Sequence, residues 1–303
     1  MSEIIYLDNA ATTQVSEAVL NEMLPFFRQT YSNPSAIYGF AEESKKAITK
    51  ARTQAAELIG SKPEEIYFTG GGSESDNWAL KAAFEAYAGK GKHIITSKIE
   101  HHAILHTCEY LEKHGCEITY LDVDENGKIS LDELRNAIRP DTILISIMTA
   151  NNEIGTIEPV CEIGEIAHKH GILFHTDAVQ AVGHIPIDVA ALNVDLLSMA
   201  AHKFYGPKGI GALYIKNGVK ITNLVYGGEQ ERGLRAGTEN TPAIVGMGEA
   251  LALACSEMDG AAQQIVHLRD LLENEIMQRM PEAIVNGDRE KRLPGTLHVT
   301  FPG

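Results

Sequence analysis

Short apolar or β-branched runs alternate with amphipathic stretches from about residue 63 to 215, and this alternation constrains the fold more than any other feature of the chain. The runs fall at 65–69, 93–97, 117–121, 142–148, 173–176, 196–200 and 211–215, which is strand length. Between several of them lie helix-length amphipathic stretches at 73–88, 103–114 and 160–170. Gly60, Gly115 and Gly171 stand where helices should end. Ser130 followed by Glu133 fits a capping box that opens another helix. Such a pattern predicts an α/β fold: βα units on a mostly parallel sheet flanked by helices.

Ligands in sheets of this kind bind beyond the carboxyl ends of the strands. The polar candidates fall there, with Gly70–Ser75, His101, Asn151–Asn152, Asp177 and Lys203 each following a different run. After Thr241-Pro242 the pattern changes. A long helical stretch over 242–258 continues past Gly260 into 261–280, followed by a hairpin-like Asn286-Gly287 and a strand-like 296–301. We therefore expect a large domain over 13–255 and a smaller α+β domain from 1–12 and 256–303, incomplete at its C-terminal end.

Size and composition narrow the function. With 303 residues the chain can bury one large core plus a smaller lobe. A formal charge of −15 excludes non-specific binding to nucleic acid or to an anionic membrane. Residues 1–8 show no basic region followed by an apolar run, and no apolar run reaches the ~20 residues of a membrane span. The 4 cysteines lack CxxC spacing, so a reducing, cytoplasmic home is expected.

Lys203 and Asp177 carry the sharpest chemical reading. A lysine amine can condense with an aldehyde, and a carboxylate can hold a pyridine nitrogen protonated; together they are the minimum equipment for pyridoxal 5'-phosphate (PLP) chemistry. The plainer alternative is an exposed loop lysine and a capping aspartate. The other candidates have paired readings too. The glycines at 70–72 with Ser73 read as a phosphate cradle at a helix start, or as a flexible turn with Ser73 as N-cap. Glu100-His101-His102, with His106 and Cys108, reads as metal ligands, as surface or cap histidines, or as one histidine against a planar ligand. Adjacent histidines diverge on a helix and oppose on a strand, so no metal is expected. Asn151-Asn152 reads as a turn cap, or as a ligand to a cofactor oxygen or substrate carboxylate. Gln180, three residues after Asp177, reaches the same ligand if the segment turns. The loop at 232–240, with Arg232 and Arg235, is either solvated or contacts an anion.

In their order these segments resemble the cysteine desulfurases of the class V aminotransferase family, PLP enzymes of fold-type I. The resemblance runs from Tyr6-Leu7-Asp8-Asn9-Ala10-Ala11-Thr12-Thr13 through Ser32-Asn33-Pro34-Ser35, the 72–74 loop, Glu100-His101, 151–155, 177–180, 202–209 and 235–240, and covers essentially the whole chain. It implies that Lys203 binds the coenzyme aldehyde, Asp177 pairs with the ring nitrogen and His101 stacks on the ring. Asn152 and Gln180 would contact the ring oxygen side. Gly72, Ser73 and His202 would hold the phosphate, with Thr238 from the partner subunit of a homodimer. The implied catalytic residues are Lys203 and His101, and the implied substrate is L-cysteine. Its sulfur would leave as an enzyme persulfide, with alanine as co-product, for a sulfur-acceptor or scaffold protein in iron–sulfur or thio-cofactor assembly.

Two departures from the family pattern stand out. Ala200 occupies the position where the family usually places a serine that donates to the phosphate. The family's catalytic cysteine and substrate-carboxylate arginine lie beyond residue 303, and Cys108 and Cys255 read as core residues of helices; a fragment of a longer protein is expected. The competing functions are another class V enzyme, such as a selenocysteine lyase or an aminotransferase, and a non-catalytic dimeric scaffold.

Overall fold

A computed structural model describes residues 4–302; those parts of the N-terminal and small-domain readings that fall on residues 1–3 and 303 lie outside them. The elements in chain order are α1 (Glu17–Met23), α2 (Pro25–Arg28), α3 (Glu42–Leu58), β1 (Ile66–Thr69), α4 (Gly72–Ala86), β2 (His93–Ser97), α5 (His102–Glu112), β3 (Glu117–Leu121), α6 (Leu131–Ala137), β4 (Thr142–Ser146), α7 (Val160–Lys169), β5 (Leu173–Asp177), β6 (Leu196–Ala200), β7 (Gly211–Ile215), α8 (Thr241–Arg279), β8 (Ile284–Asn286) and β9 (His298–Thr300). Each apolar run of the sequence became a strand. The run at 142–148 pairs as a strand only to Ser146, because the Met148 N–H is taken by the Glu100 carboxylate at 3.0 Å. Ser130 caps α6 by accepting from the Glu133 N–H at 3.3 Å.

The first seven strands form one sheet in the order β1-β7-β6-β5-β4-β2-β3. All neighbouring pairs are parallel except those of β7, which runs antiparallel to both β1 and β6. Successive side chains on a strand point to opposite faces, and here both faces are covered. Ile94, Leu144, Leu196 and Leu213 pack with Trp78, Ile104 and Leu111 of α4 and α5. Their neighbours Ile95, Ile145, Leu197 and Ala212 pack on the other face with Ile48, Ile163, Met247 and Leu251 of α3, α7 and α8. The strands therefore read as continuous apolar runs rather than alternating ones, as sheets buried on both faces do.

α8 is a single helix of 39 residues whose buried positions stop at Leu251. Its first half packs on α1 and α3; the rest has left that layer. Cys255 lies just past this point and is exposed, which corrects its reading as a core residue, whereas Cys108 is fully buried between α5 and the sheet. The hairpin reading at Asn286-Gly287 also needs correction. β8 and β9 do pair antiparallel, but the connection runs from residue 287 to 297, and Gly287 with its left-handed φ of 83° leads the chain back against Ile154 and Thr156 rather than into a tight turn. Among the described residues no helix is long and apolar enough to cross a membrane.

Candidate active site

The carboxyl ends of β2, β4, β5 and β6 and the start of α4 open on one cleft of about 1420 Å³, closed on its other side by residues 7–12, by α8 from Ala250 to Ile265 and by residues 294–298. His101, Asn152, Asp177, Gln180, His202, Lys203, Gly72 and Ser73 all line it. Thr238 does not; it is exposed on its own chain, outside the cleft lining.

α4 starts against the sheet because its first residues lack side chains. Gly71, the N-cap, has φ +148°, which only glycine adopts without strain. A Cβ on Gly72 would lie 2.7 Å from Val179 Cγ2, so the helix start could not approach the end of β5 with any other residue. Ser73 consequently sits in the first turn and is not the cap. The first N–H groups of a helix have no acceptor within it, and the positive end of the helix dipole is there too. These donors at the rim of the cleft suit an anion. Glu74 restrains the loop: its carboxylate accepts from the Gly70 N–H at 2.8 Å and pairs with Arg235 at 2.8 Å. Arg232 donates to the Ile66 carbonyl at 2.7 Å, and its guanidinium carbon lies 3.9 Å from the centre of the Tyr67 ring. Both arginines of the 232–240 loop are thus engaged within their own chain.

Lys203 is half-buried, with its ammonium held by the Ala10 carbonyl and, at 2.9 Å, by that of Ala11. Burial pushes its pKa down, and the charges of Asp177 and Asp8 oppose that shift. Asp177 is buried at the end of β5, where Oδ1 accepts from the Val179 N–H at 2.9 Å. Burial raises its pKa, while the Val179 N–H, His101 and Lys203 favour its charged form. A carboxylate in such a place seeks a cationic partner. His184 donates from Nε2 to the Lys203 carbonyl at 2.8 Å and so fixes the backbone that carries the amine.

The N-terminal segment is laced onto the same loop. Thr13 donates from N–H and hydroxyl to the His202 carbonyl at 2.9 and 3.0 Å, Tyr205 N–H donates to Thr13 Oγ1 at 2.8 Å, and His202 Nδ1 pairs with Thr12 Oγ1 at 3.2 Å. Gln180 donates from Nε2 to the Ala10 carbonyl at 3.0 Å. His101 is the N-cap of α5: Nδ1 accepts from the Ala103 N–H at 3.1 Å, so the neutral ring carries its proton on Nε2. His102 and His106 stack on each other, ring centres 5.0 Å apart, with the His102 ring tilted against that of His101, 6.3 Å centre to centre. Among the described residues no group of three or more His, Cys, Asp or Glu could hold a metal ion. The two amides divide their work. Asn151 caps its turn, accepting from the N–H groups of Glu153 and Ile154 at 2.9 and 3.0 Å, while Asn152 lines the cleft.

Sequence reasoning missed several participants. The Ala10 and Ala11 carbonyls left no sign, since backbone acceptors carry no residue signature. His184 and Asp76 could have been found, the latter as a carboxylate on the apolar face of α4 between Ser75 and Trp78. None of the four cysteines lines the cleft.

Comparison with known proteins agrees with this geometry. The family described as "Aminotransferase class-V" matches residues 5–303. The "Cysteine desulfurase IscS" of Clostridium botulinum (strain Hall) is 54% identical over 305 residues, which cover 100% of this chain and 77% of that protein. A solved structure described as a NifS-like protein superposes with a TM-score of 0.96 at 44% identity, covering 99% of this chain and 82% of the other. Another, described as SspA in complex with cysteine, has a TM-score of 0.88 at 41% identity, with 99% and 84% covered.

Proposed function

The chain belongs to the aminotransferase class V family, and from that premise we propose that it is a PLP-dependent cysteine desulfurase, taking sulfur from L-cysteine for delivery to an acceptor. Its sheet and helices are those of the PLP fold-type I enzymes. One observation carries the reading: a half-buried lysine amine and a buried carboxylate face one cleft whose rim is a helix start cleared of side chains.

The donor set suits PLP. Lys203 Nζ would take the aldehyde, Asp177 the ring nitrogen, and the N–H groups of Gly72 and Ser73, with His202, the phosphate. His101 would stack on the ring, and Asn152 and Gln180 would bind on its oxygen side. Bound there, the electron-poor ring withdraws the electrons left at the substrate Cα when a bond to it breaks.

The residues of this chain serve the steps before sulfur transfer; the thiol that would take the sulfur is not one of its four cysteines, none of which lines the cleft. Burial enlarges the fraction of Lys203 that is the neutral, nucleophilic amine. As a free amine beside the bound substrate, Nζ would be the base that moves the Cα proton. Asp177, whose burial raises its pKa while its N–H donor, His101 and Lys203 favour the charged form, would hold a proton on the ring nitrogen. His101 offers a protonated Nε2 from the cap of α5 for proton transfer. The exposed apolar residues Ile4, Ile5, Leu7, Phe27, Ile37 and Tyr226 support a homodimer, in which Thr238 of one subunit would reach the partner's phosphate. The large domain would span 13–255, with 1–12 and 256–303 in the small one. A cytoplasmic setting and a role in iron–sulfur or thio-cofactor assembly go with this reading.

The test is spectroscopic. The purified chain incubated with PLP should gain a visible absorption band, and borohydride should fix the coenzyme to the peptide containing Lys203. Lys203→Ala should show neither. A chain that stays colourless with added PLP would favour the non-catalytic scaffold and overturn the proposal.

A further inference from the structure

Behind Asp177 the floor of the cleft holds a second carboxyl that none of the roles above uses. Asp76, in the first turns of α4, lines the cleft, is 1% exposed, and its Oδ1 has no hydrogen-bond partner. The basic group near it is His175 of β5, whose Nε2 lies 3.8 Å away, outside hydrogen-bond reach. His175 is fully buried and already satisfied on both nitrogens, by Ser146 Oγ at 2.9 Å and Ser198 Oγ at 3.0 Å. Among the described residues no lysine or arginine forms an ion pair with Asp76. The groups that bear on it are Asp177 and His175 from β5, Glu100 from the turn before α5, and the Ser198 hydroxyl from β6.

We propose that Asp76 is a positioning residue for Asp177: it holds the one proton of this buried carboxyl pair, so that Asp177 faces the cleft as the carboxylate. Two carboxylates buried together without a cation between them cannot both ionise cheaply. The surroundings decide which one keeps the proton. Asp177 accepts a backbone N–H and looks toward Lys203 and His101, whereas the Asp76 Oδ1 has no donor; Glu100 nearby, itself pushed up to about 8 by burial, supplies no cation. Burial and the Asp177 charge accordingly raise the Asp76 pKa well above the usual carboxylate range, and burial pushes His175 down to about 3, so the imidazole offers no charge in compensation. The value of this arrangement to the coenzyme rests on the function proposed above; the protonation itself is a property of the chain and can be measured with or without coenzyme.

The decisive measurement is the infrared difference spectrum between the wild-type chain and Asp76→Asn at pH 7, for protein as purified and after removal of any coenzyme. Wild type should show a protonated-carboxyl C=O stretch that shifts in heavy water and is missing from the variant. A difference confined to carboxylate bands would overturn the proposal. Stability gives a second readout. A carboxyl whose folded pKa is raised binds its proton more tightly in the folded chain. Its contribution is therefore complete below about pH 4 and is lost as pH rises toward the folded value. Asp76→Asn, neutral at every pH, should melt higher than wild type by at least about 2 °C at pH 8, with the gap closing toward pH 4. A variant that melts lower, by a margin that widens with pH, would mean that Asp76 works as an anion and would overturn the idea. Should the variant not fold, wild type labelled with 13C at the aspartate carboxyls decides the matter. At pH 7 one resonance should keep the protonated shift; none, or two, would refute the proposal. Failure of wild type to bind PLP would sink the proposed function and leave this assignment standing.

Discussion

Ala200→Ser offers the most direct quantitative test of the phosphate end of the cleft. Ala200 ends β6, is 1% exposed and lines the cleft; its Cβ lies 3.5 Å from where a Cβ on Gly72 would stand. A hydroxyl at this position therefore adds one donor beside the first turn of α4, where the coenzyme phosphate would bind. A hydrogen bond to a charged group contributes about 1.5–3 kcal/mol. At 1.4 kcal/mol per decade this is about a 10- to 150-fold gain in affinity. Without ligand the same hydroxyl is buried unpaired and costs about 1 kcal/mol, which would lower the melting temperature of the coenzyme-free protein by about 2 °C. The assay is an equilibrium titration of coenzyme-free wild type and variant, each with PLP and with pyridoxal, which lacks the phosphate. The gain should appear for PLP and vanish for pyridoxal. An equal gain with both ligands, or none with PLP, would refute the placement of the phosphate at α4.

Other expectations concern the scaffold and the thiols. Glu231 is buried and accepts from both terminal nitrogens of Arg52 at 2.7 Å and from the Phe68 N–H at 3.0 Å; Glu231→Ala leaves the mostly buried Arg52 without its counter-charge, only the Ile66 carbonyl remaining as acceptor, and should cost about 3 kcal/mol in denaturant unfolding. A loss below 1 kcal/mol would mean that the pair is solvated. Thiol reagents at pH 7 should modify exposed Cys255 first, while Cys108 and Cys116, buried and with pKa values pushed up by desolvation, should react only on unfolding. Peptide mapping that finds Cys108 labelled in the native chain would contradict the packing of α5.

The sheet was legible because strands buried on both faces leave unbroken apolar runs, and because helices of the same chain leave amphipathic ones. Lys203 and Asp177 were legible for a different reason: each is a costly group, one at the end of a buried strand and one just past another. What the sequence hid was long-range. Nothing local reveals that the Ala10 and Ala11 carbonyls grip Lys203, since the contact joins positions about 190 residues apart through backbone atoms. Cys255 misled because helical periodicity continues through α8 after the neighbouring helices have ended, so the pattern outlasts the packing. Asn286-Gly287 misled because a left-handed glycine can begin a long excursion as readily as a tight turn. Arg232 and Arg235 looked available because their partners, Ile66 and Glu74, lie some 160 residues earlier in the chain.

The uninterrupted run of α8 has a mechanical corollary. Ala250, Leu253, Glu257, Ala261 and Ile265 present one edge of this rod to the cleft over about four turns. Whatever force tilts the outer end of the rod is felt at the wall beside the reactants, with no flexible joint to absorb it. A proline introduced at Gly260, which has open space around it, would insert that joint. The two halves of the wall would then rock independently.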